Sequence, residues 1–274
     1  MTRIAYSEGG NEVFVERLVP LPVINSTFQI QLGNVDGFEL RNIAAENIAV
    51  GTSFEDLSDV GGTQVLPTEG NPEVWEVVST SDEDKSGGSG STGGFVESLA
   101  DGWISRPNQI YTLNGTTPVT LSGTHFRPIG AIITSPDGGC NVGDIIFRVA
   151  GGGAERIKIR AAEGVSKSSL FSVPVGFTVF AQFIIAASGK NQDVSIRSRI
   201  QLNGGPLIIG GTIPTYQGSI AWPIVAPFTL PEKIDIRFEA KSTNENTSVI
   251  SFLDLLIVSN DKIITPPTVV RNFM

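Results

Sequence analysis

The run Phe177–Ala187 (FTVFAQFIIAA) constrains this chain more than any other stretch. Read as a strand, it puts Phe177, Val179, Ala181, Phe183 and Ile185 on one side. Phe180, Ile184 and Ala186, also apolar, fall on the other. A strand apolar on both faces is normally covered on both. One cover is expected to be the second sheet of a sandwich. The other is expected to be an extension of the chain or a neighbouring copy. Ser172-Val173-Pro174-Val175-Gly176 punctuates the chain just before the run. Two earlier β-rich runs, Asp144–Val149 and Glu155–Ile159, are separated by Gly151–Gly153, which can take the positive φ that a reversal needs.

The remaining sequence repeats this pattern. Gly 31 and Pro 16 in 274 residues exceed ordinary usage, which suits short strands and tight turns. Residues 1–50 read as an extended N-terminal arm or small subdomain. Within them, Val13–Val23 is apolar but broken by Pro20 and Pro22, which remove backbone donors and favour an edge or an arm. Thr27–Leu32 alternates, and Asn42–Ala49 is the best helix candidate. Thr52–Asn71 reads as loop and Glu73–Ser79 as a strand. Residues 81–94, rich in Ser and Gly, are flexible by composition. Asn114-Gly115 between Gln109–Leu113 and Thr116–Leu121 is a strong hairpin signal. Pro128 places a bulge or an edge near the start of Phe126–Ser135.

Further along, Val194–Leu202 alternates, with Arg197 and Arg199 on a face that is wet or meets an acidic partner. Leu207–Ile213 and Thr215–Ile220 are expected strands, and Trp222–Phe228 an irregular apolar segment. In Lys233–Ala240, Ile234, Ile236 and Phe238 point inward while Asp235, Arg237 and Glu239 point outward. Ser248–Val258 closes the domain, and residues 263–274, with Pro266-Pro267, form an extended tail. The expected fold is all-β: an antiparallel β-sandwich, jelly-roll-like, over residues 51–262.

The chemistry-bearing residues are sparse. A net charge of −9 repels phosphate backbones and argues against nucleic-acid binding. No apolar run approaches the roughly 18 residues of a membrane-spanning helix. The N-terminus has one early basic residue and no long apolar segment, so no secretory signal is expected. Cys140, the only cysteine, reads as a loop thiol. Asp82, Glu83 and Asp84 lack the spacing of a calcium loop. The glycines that follow lack the frame of a phosphate-binding loop. His125 is the only histidine, so a metal site built on several imidazoles is excluded and a Ser-His-Asp triad would have to use it. Two carboxylates on adjacent strands could in principle hydrolyse glycosides, and Asp235, Glu239 and Asp254 are the acids available. Nothing in the sequence pairs them, and alternating outward acids read as a solvated strand face. Trp103, Tyr111, Tyr216 and Trp222 are candidates for stacking on sugar rings, or for ordinary packing. No catalytic, cofactor-binding or metal-binding residue is assigned.

From Glu73 to Asn260 the order of phrases resembles a family of virion structural proteins from tailed bacteriophages. The matching parts are Val74-Trp75-Glu76-Val77-Val78, the Ser/Gly-rich loop, and Thr112-Leu113-Asn114-Gly115-Thr116-Thr117-Pro118-Val119. Asn141-Val142-Gly143-Asp144-Ile145 follows, then Arg148 with its Gly run, Ala162-Glu163-Gly164 and Val173-Pro174-Val175-Gly176. Leu230-Pro231, Ile234-Asp235-Ile236 and Asp254-Leu255-Leu256 complete the set. The resemblance implies a structural component of the virion, assembled in the host cytoplasm, and not an enzyme. Its expected role is an auxiliary capsid protein (decoration, cement or head fibre). It would self-associate, with a trimer among the symmetries open to it, and dock on the major capsid protein. The alternative is a tail- or fibre-associated module that binds a receptor or host-surface glycan. The expected contact elements are Val13–Val23 and Thr265–Met274.

Overall fold

The computed structural model describes residues 4–8, 11–15, 35–134, 140–189, 192–203, 205–215 and 219–263. It is all-β, as the alternating pattern predicts. Strands β1 (Ile4–Glu8) and β2 (Asn11–Val15) form an antiparallel pair. Then come β3 (Phe38–Val50) and the short β4 (Glu55–Asp56). A run of short strands follows: β5 (Trp75–Ser79), β6 (Gly93–Ala100), β7 (Ile104–Ser105), β8 (Gln109–Thr112), β9 (Val119–Thr120), β10 (Arg127–Ile133), β11 (Ile145–Val149) and β12 (Glu155–Ile159). After β13 (Phe171–Ser172) the strands lengthen: β14 (Phe177–Ser188), β15 (Val194–Leu202), β16 (Leu207–Thr215), β17 (Ser219–Leu230), β18 (Ile234–Ser242) and β19 (Thr247–Ser259).

These strands enclose two main cores. Sheet β17-β14-β19-β3 faces sheet β13-β18-β15-β16, to which β4 adds. Val179, Ala181, Ile196, Ile236, Leu253 and Leu255 fill the space between them. Sheet β12-β11-β5-β9 faces β10-β6-β7 with β8, over Trp75, Val96, Ile145, Phe147 and Ile159. The second sandwich is therefore inserted between β4 and β13 of the first. A small third cluster, Leu99, Trp103 and Phe126, packs with Ile129.

Several local expectations change. Residues 42–49, expected as a helix, belong to β3. Ala44, Ala45 and Glu46 are good helix formers, but Leu40–Glu46 pair residue by residue with Leu256–Ile250 of β19, and tertiary pairing overrides the weak propensity. Asn114-Gly115 does not close a hairpin. β8 pairs with β6 while β9 pairs with β5, so the turn carries the chain from one sheet to the other. Gly115 has φ +59, and a Cβ there would lie 3.0 Å from Asp82 Cα. The segment expected to be irregular, residues 222–228, lies within β17. That strand is an edge, where Pro223 and Pro227 need not donate. The reversal at Gly151 and Gly152 is seen, with φ +84 and +79, joining β11 to β12. So is the irregularity at Pro128, between Pro128 and Gly130.

The Ser/Gly-rich stretch 81–94 winds around one buried carboxylate. Asp84 Oδ1 accepts from the Ser91 and Val142 amides, at 2.9 Å each. Its Oδ2 accepts from Gly143 N at 2.8 Å and from Ser79 Oγ at 2.5 Å. Composition alone could not show this, because two donors come from residues about sixty positions away.

Candidate functional site

The two-sided apolar run builds an apolar outer face on its sheet. A β-bulge between Ala181 and Phe183 shifts the alternation of β14 by one residue. Val179, Ala181, Ile184 and Ala186 consequently face the core. Ile185, expected on the side of Val179, turns to the outer face with Phe180. Register extends that face across three strands. Phe180 lies opposite Leu256, and Ile185 opposite Phe252. Leu256 lies opposite Leu40, Phe252 opposite Ala44, and Val258 opposite Phe38. Phe38, Leu40, Phe180, Ile185, Ile250, Phe252 and Leu256 are all half-buried. None is among the residues that form or line the core between the sheets. One polar pair interrupts the face: Asn42 Nδ2 donates to Asp254 Oδ1 at 2.5 Å.

A second feature lies where the two sandwiches meet. A cleft of about 380 Å³ is bounded by Arg41–Ala44 of β3, by Phe95 and Glu97 of β6, by Ile129–Ile132 of β10, and by Val165–Ser168 and Phe171. Arg41 bridges it, with Nη2 at 2.8 Å from Glu39 and 3.0 Å from Glu97. Burial would lower the Arg41 pKa, but Glu97 and Glu39 more than offset it, and the net direction is up. β3 is the edge strand of its sheet, so the cleft runs along a strand edge.

Buried charges fix the junction. Arg127 Nε donates to both oxygens of Asp235 at 3.0 Å. Its guanidinium lies 3.9 Å from the Phe126 ring centroid and 4.6 Å from that of Trp103. Asp235 also accepts from Ser172 Oγ. Burial raises its pKa above the usual carboxylate range, with Arg127 opposing. Beside the cleft, Asp59 sits 2.9 Å from Arg160 Nε and accepts from the Lys167 amide at 2.7 Å. Glu46 pairs with Arg160 and Lys167, at 2.5 and 2.7 Å, and Glu163 pairs with the same two cations. Burial pushes Asp59 up to about 6.

The sequence candidates scatter. Asp235, Arg237 and Glu239 are not a solvated face: all are buried, each held by partners that the fold brings to it. Arg237 bonds Asp56 at 3.1 Å and the Gln64 carbonyl at 2.7 Å. Glu239 accepts from Arg197 at 2.7 Å and Arg199 at 2.6 Å, so the acidic partner of those arginines is in the same chain. Asp254 lies on the other sheet and bonds Asn42, and it joins neither acid. Trp103 and Tyr111 are buried and offer no sugar-stacking surface. Trp103 lies under Arg127, and Tyr111 meets the Phe147 ring edge-on at 5.0 Å. Tyr216 lies outside the described residues. Trp222 is in β17, its backbone opposite Ile184. His125 is buried, stacked 4.5 Å from Trp75. Its Nδ1 is 2.8 Å from Ser98 Oγ, and burial lowers its pKa to about 4. Cys140 is free and exposed. Asp82 pairs with Lys85 at 2.6 Å, and Glu83 accepts from Ser89. Residues 16–23 and the tail from 264 onward lie outside the described residues.

Sequence reasoning missed Arg41, Glu97 and Phe171 in the cleft and Phe252 on the outer face. Only the nearly unbroken apolar character of residues 248–258 signalled the last.

Among the described residues no helix is long and apolar enough to cross a membrane. No family model matches the chain, and no curated protein does. One solved structure with some likeness is that of infectious bursal disease virus, Gt strain. It is 11% identical over 83% of this chain and 74% of that one, with a TM-score of 0.21. A score that low carries no weight for a shared fold.

Proposed function

We propose that this chain is a structural subunit of a tailed-bacteriophage virion that self-associates through the outer face of β3, β19 and β14 and docks on the capsid as an auxiliary protein. The observation that carries this reading is the apolar face itself. Half-buried Phe, Leu and Ile side chains stand in register on three adjacent strands, back to back with a filled core. Scattered surface apolar residues need no explanation, but a contiguous patch marks an interaction site. A stable interface takes about 800 Å² per partner with an apolar centre and a polar rim. The sheet supplies such a centre. The phrase order shared with virion structural proteins supplies the particle. The paired state of the acids on β18 speaks for structure over chemistry, since each carboxylate is held by an arginine.

The test is sedimentation of the full chain at micromolar concentration beside Phe252→Asp, which puts a charge at the centre of the face and leaves the core untouched. The expected result is an oligomer for the native chain and a folded monomer for the variant. A native chain that sediments as a monomer would remove the basis of the reading. Locating the subunit in an electron-microscopy map of the particle then separates capsid from tail attachment.

A further inference from the structure

The cleft contains an unfinished sheet edge. In an antiparallel ladder the backbone N–H and C=O of alternate residues point to opposite edges of a strand. Ala44 O accepts from Ser168 N at 3.1 Å, so the groups of Ala44 point away from β19. Two-residue alternation then aims those of Asn42 and Leu40 the same way. Among the described residues the N–H and C=O of Leu40 and Asn42 have no partner on that side. Elsewhere the junction is closed. The corresponding edge of β10 is taken by Gly164 O and by the Ser166 amide and hydroxyl. The facing wall is made by Phe95, Glu97 and Ile129 of the second sandwich, and the cleft between has a volume of about 380 Å³. A single extended segment fits. Apolar groups on both sides and the Arg41–Glu97 pair at the centre suit a strand with alternating side chains. Such strand addition draws affinity from main-chain hydrogen bonds.

We infer that the free edge of β3 between Leu40 and Ala44 receives residues 265–274 of a neighbouring copy as an added strand. This rests on the self-association proposed for the outer face of the same sheet. The segment reads TPPTVVRNFM. Its prolines and β-branched residues favour extended backbone, and its ten residues exceed the free stretch of β3. The described chain ends at Ile263, one turn beyond β19. There Lys262 lies against Gly37 and pairs with Asp36 at 3.1 Å, at the start of β3. The copy is a neighbour because of direction. β19 runs antiparallel to β3 and ends beside Phe38. The same chain's tail, reaching the free edge from that end, would have to run parallel to β3. Every ladder among the described strands is antiparallel, the better-bonded arrangement. A neighbour's tail can enter antiparallel.

The experiment uses the full chain with a photo-crosslinking amino acid at Phe95, in the cleft wall facing β3, mixed with a heavy-isotope copy. Mass spectrometry then identifies what is captured. The expected product joins position 95 of one copy to residues 265–274 of the other isotope. Capture of the same chain's tail, capture of residues 1–34, or no capture in a sample that sediments as an oligomer would each overturn the inference while leaving self-association intact. A sample that does not assemble at all overturns both. A second variant, Asn42→Pro, removes an N–H that points into the cleft and takes no part in the ladder with β19. Asn42→Ala loses the same side chain and its bond to Asp254 but keeps the N–H, so it is the reference. The dissociation concentration of the proline variant should exceed that of the alanine variant at least tenfold. Equal assembly of the proline and alanine variants would also overturn the inference.

Discussion

Replacing Asp84 by alanine tests whether the Ser/Gly-rich loop is architecture or slack. Asp84 is 0% exposed. Its carboxylate satisfies the amides of Ser91, Val142 and Gly143 and the hydroxyl of Ser79. Asp84→Ala leaves three N–H groups and a hydroxyl facing a small buried space. Each unsatisfied buried group costs about 1–3 kcal/mol. The penalties overlap, because water admitted to the space serves several donors at once. The net loss is then ~3–5 kcal/mol, about that of two unsatisfied groups. The same substitution in a loop that is truly slack costs within about 0.5 kcal/mol. Urea titration followed by tryptophan fluorescence distinguishes the two, since Trp75 lies in the core of this sandwich. A parallel trypsin digest should show cleavage after Lys85 accelerate in the variant as the loop loses its anchor. A loss under about 1 kcal/mol with an unchanged digest would refute the account of how residues 81–94 are held.

Three further outcomes are expected. Asp59, with a folded pKa of about 6 above its unfolded value, binds its proton more tightly when folded, so its contribution to stability falls as pH rises from 4 to 6. His125, lowered to about 4, acts oppositely: the unfolded state takes up its proton first, and its contribution rises over about the same window. The two slopes oppose each other, so thermal midpoints of Asp59→Asn should rise from pH 4 to 6 relative to the native chain, and those of His125→Gln should fall. Parallel profiles for all three proteins would contradict this. Arg127→Met strands Asp235 in a buried site and should cost ~3–5 kcal/mol in a chemical melt, whereas Arg127→Met with Asp235→Leu should recover most of the loss. Trp103→Ala should cost ~3–5 kcal/mol by the same measurement and leave any binding to a glycan array unchanged, since the ring is buried.

The sequence by itself settled the local geometry. Alternation over residues 194–202, 234–240 and 248–258 specified strands, because a period of two depends only on neighbours along the chain. The glycines at 151 and 152 marked a reversal because few other residues adopt positive φ. The apolar character of residues 177–187 on both sides announced a second surface needing cover. Cover itself was not legible. Asp235 and Glu239 alternate as solvated acids do, yet both are buried by partners that only the fold brings near, Arg127 at a separation of 108 residues for Asp235. Arg237 finds Asp56 across 181 residues. The strand at 38–50 was hidden by helix-forming residues whose small preference yields to pairing with β19. The bulge that turns Ile185 outward, the transfer of the chain between sheets at Asn114-Gly115, and the cleft along β3 depend likewise on which strands meet. Propensity and alternation are local energies of a few tenths of a kcal/mol per residue. Pairing and burial are long-range and larger, so the tertiary structure decided what each face touches.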